Sequence, residues 1–410
     1  MILEQIKQNL SHSILVGNNF SGRTDTLCKI TIGCKTLNER RKNLFIPASV
    51  TPSLSGLAMF VDHELSIHGS NFNQIEQSSS LELMFDIARL KGRYIHTLSG
   101  GEMVRLVICS ALRQRPNCVA LDCILEQIDF ETRNMFYSLL SNNNIKEPKF
   151  IIADNRINEI NNENITFIPI SKNSNGDLNS LDFNVIKTID MKRNPVDLEC
   201  HGIIFGYNKR KSPVLKGIDF SFHSGNLYYI DGVNGAGKST FSRLLCGVHI
   251  PWEGRIFVKG KKYFPWQTGN KYIAYHFQNP DVGRVRQNLL NECIFLRSHL
   301  CKNDEKQSSE INKWICAFGL EPLMTTPLFS LPYVLRKRSD ICACFASGAP
   351  WIILDEPTIG QDTNTVKQIA NMIKYLIKYG VGIIVISHSR LMQNLVPGHH
   401  VRIENGKMVY

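Results

Sequence analysis

Eight consecutive residues, Gly232-Val233-Asn234-Gly235-Ala236-Gly237-Lys238-Ser239, carry the densest chemistry in the chain. Glycines at the first, fourth and sixth places let successive backbone N–H groups converge on one anion. A helix starting there adds its positive end. Lys238 supplies a compact cation for β- and γ-phosphates, and Ser239 a hydroxyl for magnesium. A carboxylate pair, Asp355-Glu356, closes the apolar run WIILDEPT. One carboxylate at such a strand end can face a metal while the next polarises water. Phosphate chemistry follows from these residue types alone.

The elements that must position these groups are legible around them. LYYID, before the glycines, reads as a strand, and Phe241, Leu244 and Leu245, after them, have helical spacing. The arrangement occurs twice. SILV runs into Gly17-Asn18-Asn19-Phe20-Ser21-Gly22-Arg23-Thr24, and CVALD ends in Asp122 as WIILD ends in Asp355. Leu98 precedes Asp122 by 24 residues, and Leu331 precedes Asp355 by 24. Strands alternating with helices predict a largely parallel sheet in each half. Phe150–Ala153 and Gly382–Ile386 supply a third strand to each. The Asn- and Ser-rich stretch 171–195 reads as the linker between domains at 1–170 and 196–410. Only about 16 residues precede the first Gly-rich turn, so the first half is expected to lack opening strands.

The chain has 410 residues, 43% hydrophobic, which suits two or three packed domains. Net charge is +11; residues 1–170 balance at 17 basic against 17 acidic, and 171–410 carry 30 against 19. That excess suggests an anionic partner. Twelve cysteines form no C-x-x-C pair, so no zinc site is expected and reduced, buried thiols are. No apolar run reaches the length of a membrane span, and the opening residues do not read as a signal peptide.

Leu98-Ser99-Gly100-Gly101-Glu102, followed by helical MVRLVICSALR, together with the phosphate loop and the spacing to Asp122, resembles ATP-binding cassette (ABC) ATPases. The resemblance covers nearly the whole chain as two cassettes in tandem. It implies an α/β fold: two P-loop NTPase domains, each with a mostly parallel sheet and a helical subdomain. Residue by residue, it implies that Tyr207 stacks on adenine and that Asn234, Gly235, Ala236, Gly237, Lys238, Ser239 and Thr240 hold the phosphates of ATP. It makes Glu356 the general base, His388 the γ-phosphate sensor, and Gln278 a contact to magnesium and attacking water. Mg2+ would be held by Ser239, Gln278 and Asp355. Asp362 would contact the opposing domain.

In this family each ATP lies between the phosphate loop of one domain and the signature of another. Ser99, Gly100, Gly101 and Glu102 would therefore complete the site built around Lys238. The first half departs from the pattern. Arg23 replaces the lysine, Asp62 the glutamine, Cys123 the base and Asn155 the histidine, while Gly17, Gly22, Thr24 and Asp122 persist and Asp129 keeps the place of Asp362. The second half's signature reads Leu331-Pro332-Tyr333-Val334-Leu335, without serine or either glycine. The losses sort onto one site and leave the other complete.

FQNPD after an apolar strand resembles energy-coupling-factor and cobalt-type importer ATPases. That implies separately encoded transmembrane subunits, for substrate binding and coupling, and a place on the cytoplasmic face of the membrane. Arg284 and Arg286 would suit a docking groove or a solvated face. The alternatives are a soluble ABC translation factor on the ribosome, or a DNA repair or defence ATPase. Only these would bring nucleic acid or ribosome as a partner.

Overall fold

A computed structural model describes residues 12–16, 23–32, 43–49, 53–67, 83–128, 130–141, 148–154, 165–170, 181–189, 195–210, 212–233, 235–268, 270–300, 307–387 and 389–409. The chain divides into two compact units, Met1–Asn175 and Gly176–Tyr410.

The first unit runs β1 (Ser13–Val16), α1 (Arg23–Ile32), β2 (Asn43–Ile46), α2 (Val61–Ile67), α3 (Gly100–Arg113), β3 (Cys118–Asp122), α4 (Phe130–Ser141), β4 (Lys149–Ala153) and β5 (Thr166–Pro169). Its sheet has the order β2-β3-β4-β1-β5, with every pair parallel. Side chains alternate across a strand, so Val119, Leu121, Phe150 and Ile152 enter one core with α3 and α4. Helix α1 packs on β2 and β3.

The second unit opens with antiparallel strands β6 (Leu198–Phe205) and β7 (Leu215–Phe222), then β8 (Leu227–Asp231), α5 (Lys238–Leu245), β9 (Glu253–Val258), β10 (Lys261–Tyr263) and β11 (Ile273–His276). Helices α6 (Leu289–Leu300), α7 (Gln307–Ala317) and α8 (Tyr333–Ala346) follow. Then come β12 (Trp351–Asp355), α9 (Thr363–Lys378), β13 (Gly382–Ile386), α10 (Arg390–Leu395), β14 (His399–Glu404) and β15 (Lys407–Val409). The main sheet has the order β11-β12-β13-β8-β14-β15, and only β15 is antiparallel. Its strands β11-β12-β13-β8-β14 repeat the order of the first unit. A separate antiparallel sheet, β10-β9-β6-β7, has no counterpart among the described residues of the first unit.

Both faces of the main sheet are covered, which is why WIILD and GIIVI are apolar without alternation. Tyr229, Ile352, Leu354, Ile383 and Val385 face α6 to α9. Tyr228, Ile353, Ile384 and Trp351 face α5 and the antiparallel sheet. Trp351 lies flat over β13 because residue 382 is glycine: a Cβ there would sit 2.4 Å from the indole. The indole Nε1 also donates to the Val196 carbonyl at 2.5 Å. Trp351→Ala should therefore destabilise this unit by about 3–5 kcal/mol. A urea titration should show a lower midpoint at unchanged slope, whereas an unshifted midpoint would contradict this packing.

Within the stretch read as a linker, residues 181–189 belong to the second unit's core. Leu181, Ile186 and Ile189 are buried, Asp182 caps the helical turn Phe183–Ile186, and the Tyr375 hydroxyl donates to Ile189 O at 2.8 Å. Three apolar residues spaced among Asn and Ser anchor the segment, and composition averages them away.

Candidate functional site

The phosphate loop joins β8 to α5. Gly235 and Gly237 have φ of +81° and +104°, conformations that side chains with a Cβ resist. Gly237 is the N-cap of α5 and brings no side chain to its first amides, and a helix start of this kind favours an anion. Lys238 is buried, and its Nζ donates back to the carbonyls of Gly232 at 2.6 Å and Val233 at 3.2 Å. The ammonium is thereby held over the loop.

At the end of β12 the Asp355 carboxylate is bonded by the Ser239 hydroxyl and, at 3.1 Å, by Tyr275 Oη, which itself pairs with Ser242 Oγ at 3.1 Å. Burial pushes the Asp355 carboxyl above the ordinary carboxylate range, and the charge of Glu356 adds to this; Ser239 and Tyr275 oppose the rise. A hydroxyl and a carboxylate, with the amide oxygen expected from Gln278, are oxygen donors of the kind that suits Mg2+. Glu356 follows with φ +50°, and its N–H donates to Ile386 O at 2.8 Å. The left-handed turn takes this side chain out of the strand's alternation, so two successive carboxylates need not occupy opposite faces.

Gln278 lies two residues beyond β11, which pairs with β12, so it stands at the C-terminal ends of the parallel strands where such sheets bind ligands. Tyr207 follows β6. Its hydroxyl pairs with Thr240 Oγ1 at 2.9 Å, and its ring, 62% exposed, is backed by Phe205 and His249. A fixed, solvent-facing ring is suited to stacking on a base. Asn234 and His388 lie outside the described residues.

The first unit preserves much of this frame. Thr24 Oγ1 donates to Asp122 Oδ2 at 2.8 Å, as Ser239 does to Asp355. Cys123 has φ +54°, and its N–H donates to Ala153 O at 2.8 Å, the same pattern as Glu356. A thiol thus occupies the position that Glu356 holds in the second unit, and burial raises its pKa well above the ordinary thiol value. Arg23 is buried with one guanidinium nitrogen 3.3 Å from Asp154 O. Asp62 sits in α2, accepting from Gly92 N at 2.6 Å. Gly17, Gly22, Asp129 and Asn155 lie outside the described residues.

Ser99 caps α3 in a reciprocal box: Glu102 N donates to Ser99 Oγ at 3.3 Å and Ser99 N to Glu102 Oε2 at 2.8 Å. Arg93 pairs with Glu102 at 2.7 Å. Burial works against the Glu102 carboxylate, but these donors hold its pKa below the ordinary value. Glu102 therefore shapes the turn that presents Ser99, Gly100 and Gly101.

One sequence expectation changes. Arg284 is neither a solvated nor a docking cation: it turns inward, donates to the Arg336 carbonyl and is surrounded by the charges of Asp340, Asp281 and Glu292. Arg286 is exposed, with its guanidinium 4.5 Å from the Phe295 ring centroid. Tyr275 and Ser242, by contrast, support Asp355 yet carry no motif. A tyrosine in a strand is ordinary until the neighbouring strand is known.

A parallel sheet with a phosphate loop on its central strand defines a P-loop nucleotide-binding protein. Residues 215–359 match the ABC transporter family. A Pyrococcus horikoshii protein named as an ABC transporter ATP-binding protein is 31% identical over 193 residues, covering 47% of this chain and 74% of that protein. The chain belongs to the family of ABC transporter ATP-binding proteins, whose cassettes bind ATP with Mg2+. A Bacillus cereus protein of the same description is 29% identical over 273 residues, 65% of this chain and 48% of that protein. The chain spans between about a third and a half of the length of this and two further curated relatives. In fold, the solved RNase-L Inhibitor is similar with a TM-score of 0.59, over 98% of this chain and 85% of that one, at 16% identity.

Proposed function

We propose that the chain binds and hydrolyses ATP at one competent site, as the ATP-binding subunit of an ABC transporter of the energy-coupling-factor importer type. One observation carries the single-site reading: the same left-handed position after the acidic strand holds Glu356 in one unit and Cys123 in the other. Only the carboxylate can take a proton from water near neutral pH. Lys238 and the first amides of α5 bind the phosphates, Tyr207 receives the base, and Glu356 orients and deprotonates the attacking water. Ser239, Gln278 and Asp355 would hold Mg2+, which neutralises charge on the transferring group when bound. Ser99, Gly100 and Gly101 of the intact signature supply the remaining donors in the family's head-to-tail pairing.

The transporter role is supported by family membership and by the FQNPD segment. Among the described residues no helix is long and apolar enough to cross a membrane; on this reading the membrane subunits are separate chains, as in the importers that FQNPD resembles. Purification from native membranes should co-elute two membrane proteins, and trapping should retain one hydrolysable nucleotide per chain. Co-sedimentation with ribosomes instead of membrane proteins would overturn the transporter role. Two equivalent, simultaneously hydrolysed nucleotides would overturn the single site.

A further inference from the structure

The helices that follow the two signature positions, α3 and α8, are both 14 residues long and lead to strands of equal length, yet their first turns are used differently. Ser99 at the start of α3 is exposed and is secured by Glu102 of its own turn. The start of α8 turns onto its own unit. A Cβ on Gly360 would meet the Tyr333 ring at 3.5 Å, and Gln361 Nε2 donates to Val334 O at 3.3 Å. These contacts engage the loop after Glu356. Toward the loop that follows β11, the Tyr333 hydroxyl and Lys337 Nζ both reach the carbonyl of Gln278, each at 3.5 Å. Arg336 pairs with Asp281 at 2.7 Å in the same loop. His276, which precedes it, pairs with Asp340.

Lys337 is 0% exposed. A buried ammonium is costly unless hydrogen-bonded or paired, and cations in a helix's first turns oppose its dipole. Simple decay of a signature should remove such charges or leave them in water. Here Lys337 and Arg336 are aimed at the segment bearing Gln278, while Arg338 donates to Thr365 Oγ1. We propose that Tyr333 and Lys337, supported by the Arg336–Asp281 pair, are positioning residues for the intact site. The altered LPYVL segment has become an internal brace joining the Gln278 loop to the 358–362 loop. The inference rests on the reading of Gln278 as a magnesium-side residue. Two donors converging on one carbonyl fix the backbone from which that side chain extends. Their contacts named above lie at the Gln278 and 358–362 loops, so turnover should respond more than ATP affinity.

The test is steady-state hydrolysis by the full chain carrying Lys337→Met, which keeps the volume, and independently Tyr333→Phe. Each should lower kcat about three- to tenfold, the scale of one lost hydrogen bond. KM for ATP should stay within about twofold, and the Mg2+ concentration for half-maximal rate should rise by a factor similar to the kcat loss. Lys337→Arg should recover part of the rate. In a Gln278→Ala background neither change should slow turnover further. Additive losses in that background, or a lower unfolding midpoint with kcat and Mg2+ dependence unchanged, would overturn the brace. If Lys337→Met does not fold, Tyr333→Phe alone decides between these outcomes. Hydrolysis untouched by Gln278→Ala would instead sink the magnesium-side reading and the brace with it. A slowed Gln278→Ala enzyme with silent brace variants rejects the brace alone.

Discussion

Glu356→Gln should leave ATP bound and stop turnover. The amide keeps the shape of the side chain but cannot accept the water proton, and loss of a positioned general base costs about a hundred- to ten-thousandfold. The structure sharpens the expectation. The Glu356 backbone is fixed in the left-handed region by its N–H bond to Ile386, independently of the side chain, so the substitution should not rearrange the loop. Removing its charge also relieves Asp355, whose pKa it helps to raise, so Mg2+-dependent nucleotide binding should be preserved or slightly tighter. Equilibrium binding of a fluorescent ATP analogue, measured beside phosphate release, separates the two quantities. Lys238→Ala should give the opposite pattern, with binding itself lost, because Lys238 is the cation held over the loop. Near-normal phosphate release from Glu356→Gln would remove Glu356 from the base role. Cys123→Ala, at the matching position of the first unit, should leave turnover unchanged.

Ser99→Arg should silence hydrolysis although Lys238 and Glu356 are untouched. If the intact signature completes the phosphate site, the serine hydroxyl donates to the transferring group. Losing one such donor costs about 2.7–4 kcal/mol in comparable sites, a hundredfold or more in rate. The structure adds a second effect, because Ser99 also caps α3, and a lost cap costs about 1 kcal/mol of stability. Ser99→Asp separates them: aspartate caps as well as serine but, ionised, has no hydrogen to donate. Both variants should lose turnover, and only Ser99→Arg should lower the unfolding midpoint appreciably. Pro332→Arg should do little, since Pro332 is exposed and caps α8 without a side-chain bond. Tolerance of Ser99→Arg together with inactivity of Pro332→Arg would reverse the assignment of the two signatures.

The phosphate loop, the acidic strand ends and the largely parallel pairing were readable because each depends on local chemistry. A glycine-rich turn needs its glycines wherever it occurs. A doubly covered strand must be apolar on both faces, so WIILD and GIIVI are readable as strands without knowledge of their neighbours. The repeat was readable for the same reason, since equal spacings from Leu98 to Asp122 and from Leu331 to Asp355 are filled by equal helices and strands.

Other features depended on approach between distant segments. Arg284 looked like a surface cation because its partners, the Arg336 carbonyl and Asp340, lie more than fifty residues away along the chain. Residues 181–189 looked like linker because what buries Leu181, Ile186 and Ile189 is supplied by α7 and α9. Tyr275 became a support for Asp355 only when β11 paired with β12. Cys123 could be matched to Glu356 by counting, but that both adopt the same left-handed turn, with the same backbone bond to the neighbouring strand, is a property of the folded sheet. The sequence by itself determined which chemistry the second unit can perform, because phosphate and magnesium recognition reside in side-chain types at short spacing. The tertiary structure decided how those groups are supported, and that Tyr333 and Lys337 turn inward, because burial and hydrogen bonding between remote segments leave no periodic or compositional trace.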